Sequence, residues 1–160
     1  MEKIFDLFDS FPPELAAFFI SMFPIAELRG GLIYSAIVGI PLIKAFPICF
    51  AGNILPIPFI LLFLRQIFRW LEKFRWTAKI VRKLEEKARR GGEKVKKYEL
   101  LGLFAFVAIP APGTGAWTGA LIAVILDMQI KRALPIIALG ILTAGVIMSV
   151  ITYFIPGLFY

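Results

Sequence analysis

Pro24-Ile25-Ala26-Glu27-Leu28-Arg29-Gly30-Gly31 and Pro110-Ala111-Pro112-Gly113-Thr114-Gly115-Ala116-Trp117-Thr118-Gly119 are the two stretches on which the reading of this chain turns. Each interrupts an apolar run near its middle, leaving on either side about half of the ~20 residues that one bilayer crossing takes. Proline removes a backbone donor and glycine loosens a helix, so each break exposes backbone groups that water cannot reach at membrane depth. Such a break is tolerated only where protein or a water-filled cavity surrounds it.

The surrounding sequence supplies the membrane. Hydrophobic residues make up 59% of the 160 residues, above the about 45–50% of soluble domains. Ala45 to Leu64, Leu100 to Leu126 and Ala133 to Tyr160 carry no charge, and Leu15 to Ile43 is interrupted only by Glu27 and Arg29. Of 18 Lys and Arg residues, 13 lie between Arg65 and Lys97. A basic segment between apolar runs is the pattern of a cytoplasmic loop between membrane segments. The same segment accounts for the net charge of +7, so no nucleic-acid partner is expected. The first fourteen residues, MEKIFDLFDSFPPE, read as an amphipathic entry segment ending at Pro12 and Pro13 rather than as a signal peptide.

Histidine is absent and Cys49 is the only cysteine. An intrachain disulfide is impossible, and neither a metal-ligand cluster nor a catalytic triad can be assembled. No cofactor, metal or enzymatic activity is expected, and Cys49 reads as a small packed residue.

The two breaks occupy corresponding places in an internal repeat. A shift of 86 residues places Phe18 on Phe104 and Pro24 on Pro110. A shift of 88 places Lys44-Ala45-Phe46-Pro47 on Arg132-Ala133-Leu134-Pro135 and Gly52 on Gly140. Each half reads as an apolar run, a break, a second apolar run, a basic-Ala-apolar-Pro turn and a long apolar run. Either each broken run is one kinked span, giving four crossings, or each is a re-entrant hairpin followed by one full span. In the second case the halves lie in opposite orientation, an inverted repeat with the termini outside. That arrangement keeps Lys131 and Arg132 inside with the basic segment, and the positive-inside rule favours it.

The expected fold is therefore an all-α polytopic membrane protein: an inverted repeat of a broken, re-entrant helix hairpin plus a transmembrane helix, joined by a basic amphipathic cytoplasmic helix. It forms one membrane domain over residues 1–160, with an entry segment at 1–14, a first repeat at 15–64, a linker helix at 65–98 ended by Gly91-Gly92, and a second repeat at 99–160. Arg65, Arg69, Lys73 and Arg75 recur about once per helical turn, a candidate surface for acidic lipid headgroups. Two short repeats enclose little volume, so a homodimer is expected.

Glu27 and Arg29 are ionisable groups flanked by apolar runs, and a charge at depth costs several kcal/mol without a partner. Two residues apart on a helix they point to different faces, so mutual pairing requires an unwound backbone. Glu27 is the candidate proton-coupling carboxylate beside a fixed positive charge. In the second break, a helix starting after Pro112 aims free amides at whatever occupies the break, and Gly113, Gly115 and Gly119 permit close approach. With Thr114 and Thr118 as further donors this is a candidate anion nest. If the breaks converge, Glu27, Arg29, Gly30, Pro112, Gly113, Thr114, Gly115, Trp117 and Thr118 form a substrate site, with Asn53 of the first long span contributing an amide.

The Glu-Leu-Arg-Gly-Gly run at Glu27 to Gly31, the Pro-Ala-Pro-Gly-Thr-Gly-Ala-Trp-Thr-Gly run at Pro110 to Gly119 and the basic linker resemble the small multidrug export protein family. That family is similar, at a distance, to the DedA and VTT membrane proteins. The resemblance implies paired re-entrant helices in inverted orientation, with Glu27 and Arg29 at the charged positions of the first element, and a role in moving lipids or polyprenyl-phosphate carriers. The arginines of the second DedA element are missing here, where Gly113-Thr114-Gly115 stands instead.

Three functions compete on this reading. The first is a plasma-membrane translocase of anionic, polyprenyl-phosphate-type or phospholipid amphiphiles, with proton coupling at Glu27 as an addition. The second is an exporter of small amphipathic or cationic compounds, with Glu27 as counter-charge and Trp117 as aromatic platform. The third is a lipid-organising protein that transports nothing. Membrane lipids and a lipid-linked or amphipathic small molecule are the expected partners.

Overall fold

The computed structural model describes residues 12–71, 92–111 and 113–155, and among these it is helical with no strand. Residues 1–11 of the entry segment, most of the linker (72–91), Pro112, Lys73 and Arg75, and the side chains of Arg65 and Arg69, lie outside the described residues. Seven α-helices follow in order: α1 Pro13–Met22, α2 Glu27–Ile37, α3 Leu42–Ile54, α4 Pro56–Leu71, α5 Gly92–Ala108, α6 Ala116–Ile125 and α7 Ile130–Ser149. A π-helical turn, Val150–Phe154, extends α7. Gly92 thus opens α5, and Pro12, Pro13 and Pro41 stand at helix starts, where a missing N–H costs nothing.

Two continuous apolar stretches, Leu42–Leu64 and Ile130–Phe154, run for 23 and 25 residues. At 1.5 Å per residue either one spans roughly 30 Å of hydrocarbon. Helices α1, α2 and α6, at 10, 11 and 10 residues, reach only about 15 Å each.

The short helices fold back in pairs. A Cβ on Gly31 of α2 would collide with Oγ of Ser21 and press on the carbonyl of Ala17, both on α1. A Cβ on Gly119 of α6 would meet Val107 and Leu103 of α5. The long helices take the same partners: Gly52 of α3 lies on the Phe18 backbone of α1, and Gly140 of α7 lies on Val107 of α5. Between helices in lipid there is no hydrophobic drive, and close backbone approach through small residues replaces it. The interior accordingly holds Ala16, Ala17, Ala45, Cys49, Ala116, Ala120, Ala123 and Ala133, all fully buried. The outer surface is aromatic and aliphatic, with Phe59, Phe63 and Phe154 exposed by 67%, 68% and 68%.

The turns after α2 and α6 are built alike. Ile40 N–H donates to the Ser35 carbonyl and Gly39 N–H to Ala36; 88 residues later, Met128 N–H donates to Ala123 and Asp127 N–H to Val124. This is the Schellman closure, which needs a left-handed residue just past the helix; Gly39 with φ 79° and Asp127 with φ 50° provide it. The chain therefore turns at Val38–Pro41 and Leu126–Gln129, upstream of the expected Lys44–Pro47 and Arg132–Pro135. Pro47 and Pro135 lie inside α3 and α7. Each sits in the second turn of its helix, where it frees one carbonyl close to the helix end instead of breaking the span.

Candidate functional site

The second break leaves two helix ends facing each other: the C-terminal end of α5, with the Ile109 and Ala111 carbonyls, and the N-terminal end of α6, with its first amides. Such ends carry about half a unit of negative and positive charge respectively. Both are met by side chains from α2.

Arg29, half-buried, donates from Nη1 to the Ala111 carbonyl at 2.8 Å, and from Nη2 to the Ile109 carbonyl at 3.1 Å and to Thr114 Oγ1 at 3.2 Å. The Thr114 hydroxyl lies 2.7 Å from the Ile109 carbonyl and 2.8 Å from that of Ala111, and it accepts from the Ala111 amide at 3.2 Å. Guanidinium and hydroxyl thus close the open end of α5 together.

Glu27 is 5% exposed, and its Oε1 accepts from the Trp117 amide at 3.2 Å. The anion met by the amides of the second break is the chain's own carboxylate. Its backbone is in the left-handed region, φ 51°, which costs a residue with a Cβ about 1–2 kcal/mol. Its amide donates to the Phe23 carbonyl at 2.8 Å, and the bond to α6 helps hold the conformation. Gly115 faces it from the second break, with φ 143°; a Cβ there would fall within the Glu27 carboxylate. No side chain but glycine's leaves room for this contact.

Trp117 ties the crossing to a third element. Its indole Nε1 donates to the Met22 carbonyl at 3.1 Å, covering the end of α1. Its ring lines an open apolar groove of about 740 Å³ with Met22, Phe59 and Phe63, which lies within the usual range of ligand sites. A neighbouring depression of about 350 Å³ runs from Trp117 past Thr118 to Leu121.

The residues anticipated from sequence fall into separate places. Glu27, Arg29, Thr114, Gly115 and Trp117 converge. Thr118 lines the neighbouring depression, whereas Gly30 packs on Ala26 and Ile20 and Gly113 borders open space. Asn53 is 2% exposed and, with Glu27 and Arg29, lines a small chamber of about 10 Å³. Sequence reading missed Met22, Phe59 and Phe63, which look like any other lipid-facing residues, and the Ile109 and Ala111 carbonyls, which carry no sequence signal. Cys49 is fully buried, with Sγ 3.7 Å from the Ser35 hydroxyl.

Two apolar helices of bilayer length, small-residue packing and an aromatic outer surface, with charged groups held between helix ends, define a polytopic helical membrane protein. A family model described as "Putative small multi-drug export protein" matches residues 27–147, and the chain belongs to that family. The matched region starts at Glu27 itself and takes in the rest of the first break, the whole of the second, the stretch Leu42–Leu64 and most of Ile130–Phe154. No curated protein and no solved structure matches the chain.

Proposed function

We propose that this protein exports small amphipathic compounds, cationic or uncharged, which enter the groove beside Trp117 from the lipid. The observation that carries the reading is the double engagement of Trp117: its ring walls the groove while its amide holds Glu27. A compound moving along the ring therefore acts on the residue that joins the two breaks. Methionine and aromatic side chains adapt to many apolar shapes, which suits a site for chemically varied compounds. The anionic-lipid role implied by the DedA and VTT resemblance has less support, because the Arg29 guanidinium and the α6 amides already serve partners within the chain.

The proposed membrane arrangement is an inverted repeat. Each half would consist of a re-entrant hairpin, α1–α2 or α5–α6, and a full span, α3–α4 or α7, with the basic segment on the cytoplasmic side of the cell membrane. Support comes from the packing of the short helices α2 on α1 and α6 on α5, from the matching turn bonds 88 residues apart, and from the charge asymmetry of the loops.

The test is reconstitution in sealed vesicles with a fluorescent lipophilic cation and, in parallel, a fluorescent anionic phospholipid. Wild type should move the cation, and Trp117→Ala should weaken its binding at least tenfold, about 1.4 kcal/mol, with anionic lipid failing to compete. Movement of the phospholipid alone, or no movement of either probe, would overturn the reading.

A further inference from the structure

The chamber between Glu27 and Asn53 contains a mismatch. Asn53 Oδ1 is buried without a hydrogen-bond partner among the described residues, and a buried acceptor left alone costs about 1–3 kcal/mol. It shares the chamber with a carboxylate, which is itself only an acceptor. Two acceptors facing one small space require a donor or a positive charge between them. At about 10 Å³ the space approaches what a single water needs.

The remaining walls limit what can fill it. Leu28, Val107, Ala116, Ile141 and Ala144 are apolar, and Arg29, though it borders the chamber, directs its guanidinium to Ile109, Ala111 and Thr114. Leu28 and Ala116, like Asn53 and Ile141, are 88 residues apart, so the chamber lies where corresponding positions of the two halves meet. Its acceptors come from the first half alone. A metal ion bound by protein oxygens would take about six or more of them, and the two side chains offer three beside a fixed cation.

The geometry points to a proton site shared by Glu27 and Asn53: the proton sits on the Glu27 carboxyl and is donated to Asn53 Oδ1, directly or through one water. In this orientation of the Asn53 amide, with its oxygen unpartnered, the protonated carboxyl supplies the missing donor, directly or through one water. Among the described residues, the other charged or titratable group bordering the chamber is Arg29, on the same helix as Glu27; α3 presents Asn53, and α5, α6 and α7 present apolar side chains. As the coupling site of the exporter proposed above, it rests on that reading for its purpose, while its occupancy can be read without any transport.

The experiment is infrared difference spectroscopy of the full chain in lipid nanodiscs, stepped between neutral and acid pH, with sodium or choline as the only monovalent salt. An acid-induced carboxyl carbonyl band should appear in wild type and vanish in Glu27→Gln. Asn53→Leu should shift that band to higher frequency through loss of its acceptor. Asn53→Ala, which removes the acceptor while leaving a smaller apolar side chain, should shift it the same way and covers the case in which leucine prevents folding. The band should be identical in both salts. Absence of a Glu27-dependent band, a band unmoved by both Asn53 variants, or loss of the band in sodium would each overturn the proposal. A wild type that shows the band but moves no cation would overturn the exporter reading alone.

Discussion

Arg29→Met removes the cation that closes the end of α5 and leaves a side chain of similar length. Three bonds are lost, at 2.8, 3.1 and 3.2 Å. The cost is smaller than three charged bonds, because the Thr114 hydroxyl remains within reach of both carbonyls. The backbone serves them as well: the Ala111 amide donates to the Ile109 carbonyl at 2.9 Å and the Thr114 amide to that of Ala111 at 3.2 Å, so neither carbonyl is left without a donor. What is lost is the interhelical bonding and the helix-end attraction, roughly 1–2 kcal/mol, given that interhelical bonds in membranes average about 0.6. The expected loss is therefore about 1–2 kcal/mol of unfolding free energy, measured by denaturant titration in mixed micelles. Thr114→Val alone should cost about 1 kcal/mol. The double variant should depart from the sum of the two single losses by about 0.5 kcal/mol or more, because the two side chains bond each other and share the same carbonyls. Arg29→Lys should recover less than half of the loss, since one ammonium cannot reproduce the planar fork. A cost below about 0.5 kcal/mol for Arg29→Met, the level of an ordinary surface substitution, or strict additivity with Thr114→Val, would refute the reasoning.

The glycines separate conformation from contact. Gly113, with φ 80° and nothing within 4 Å of a Cβ, should lose only about 1 kcal/mol on replacement by Ala, the left-handed cost alone. Gly115→Ala adds a collision with the Glu27 carboxylate and should cost more than about 3 kcal/mol, read as a fall in unfolding midpoint several times larger than for Gly113→Ala. Of the packing pair, Gly52→Ala meets the Phe18 backbone and Gly140→Ala the Val107 side chain. Backbone cannot yield as a side chain can, so Gly52→Ala should be the more damaging in the same titration, by about 1 kcal/mol.

The membrane class and the partition into short and long helices were legible because hydropathy and proline placement act locally. The convergence of the breaks was legible as well: Glu27 and Arg29 needed compensation, and the second break had free helix ends to give. Which end each charge would take was not legible, since that depends on how α2 lies across α5 and α6. The expected nest for an external anion came from reading the α6 amides without knowing that Glu27 reaches them. The turn was placed too late because Lys44-Ala45-Phe46-Pro47 resembles a loop by composition. Its true position is set by the Schellman closure at Gly39, and at Asp127 that closure uses a residue with no glycine signal. The groove is three-dimensional in origin: Met22, Phe59 and Phe63 meet Trp117 only after α1 and α4 have packed beside α6.

One division of labour connects these observations. Two charges at depth would ordinarily compensate each other, but here each is spent on a helix end of the opposite half, the carboxylate on the amides of α6 and the guanidinium on the carbonyls of α5. Both matches follow the helix-end charges, and together they bind the first break to the second through one stretch of α2. Separating the halves would strand a carboxylate and a guanidinium at once, at several kcal/mol. A proton on Glu27 changes that balance: a neutral carboxyl bonds an amide about half as strongly as a carboxylate does, and Asn53 Oδ1 gains its donor. On the proton site proposed above, protonation and loosening of the two breaks would be one linked equilibrium, reaching the proposed compound groove through Trp117, whose amide is the donor that weakens.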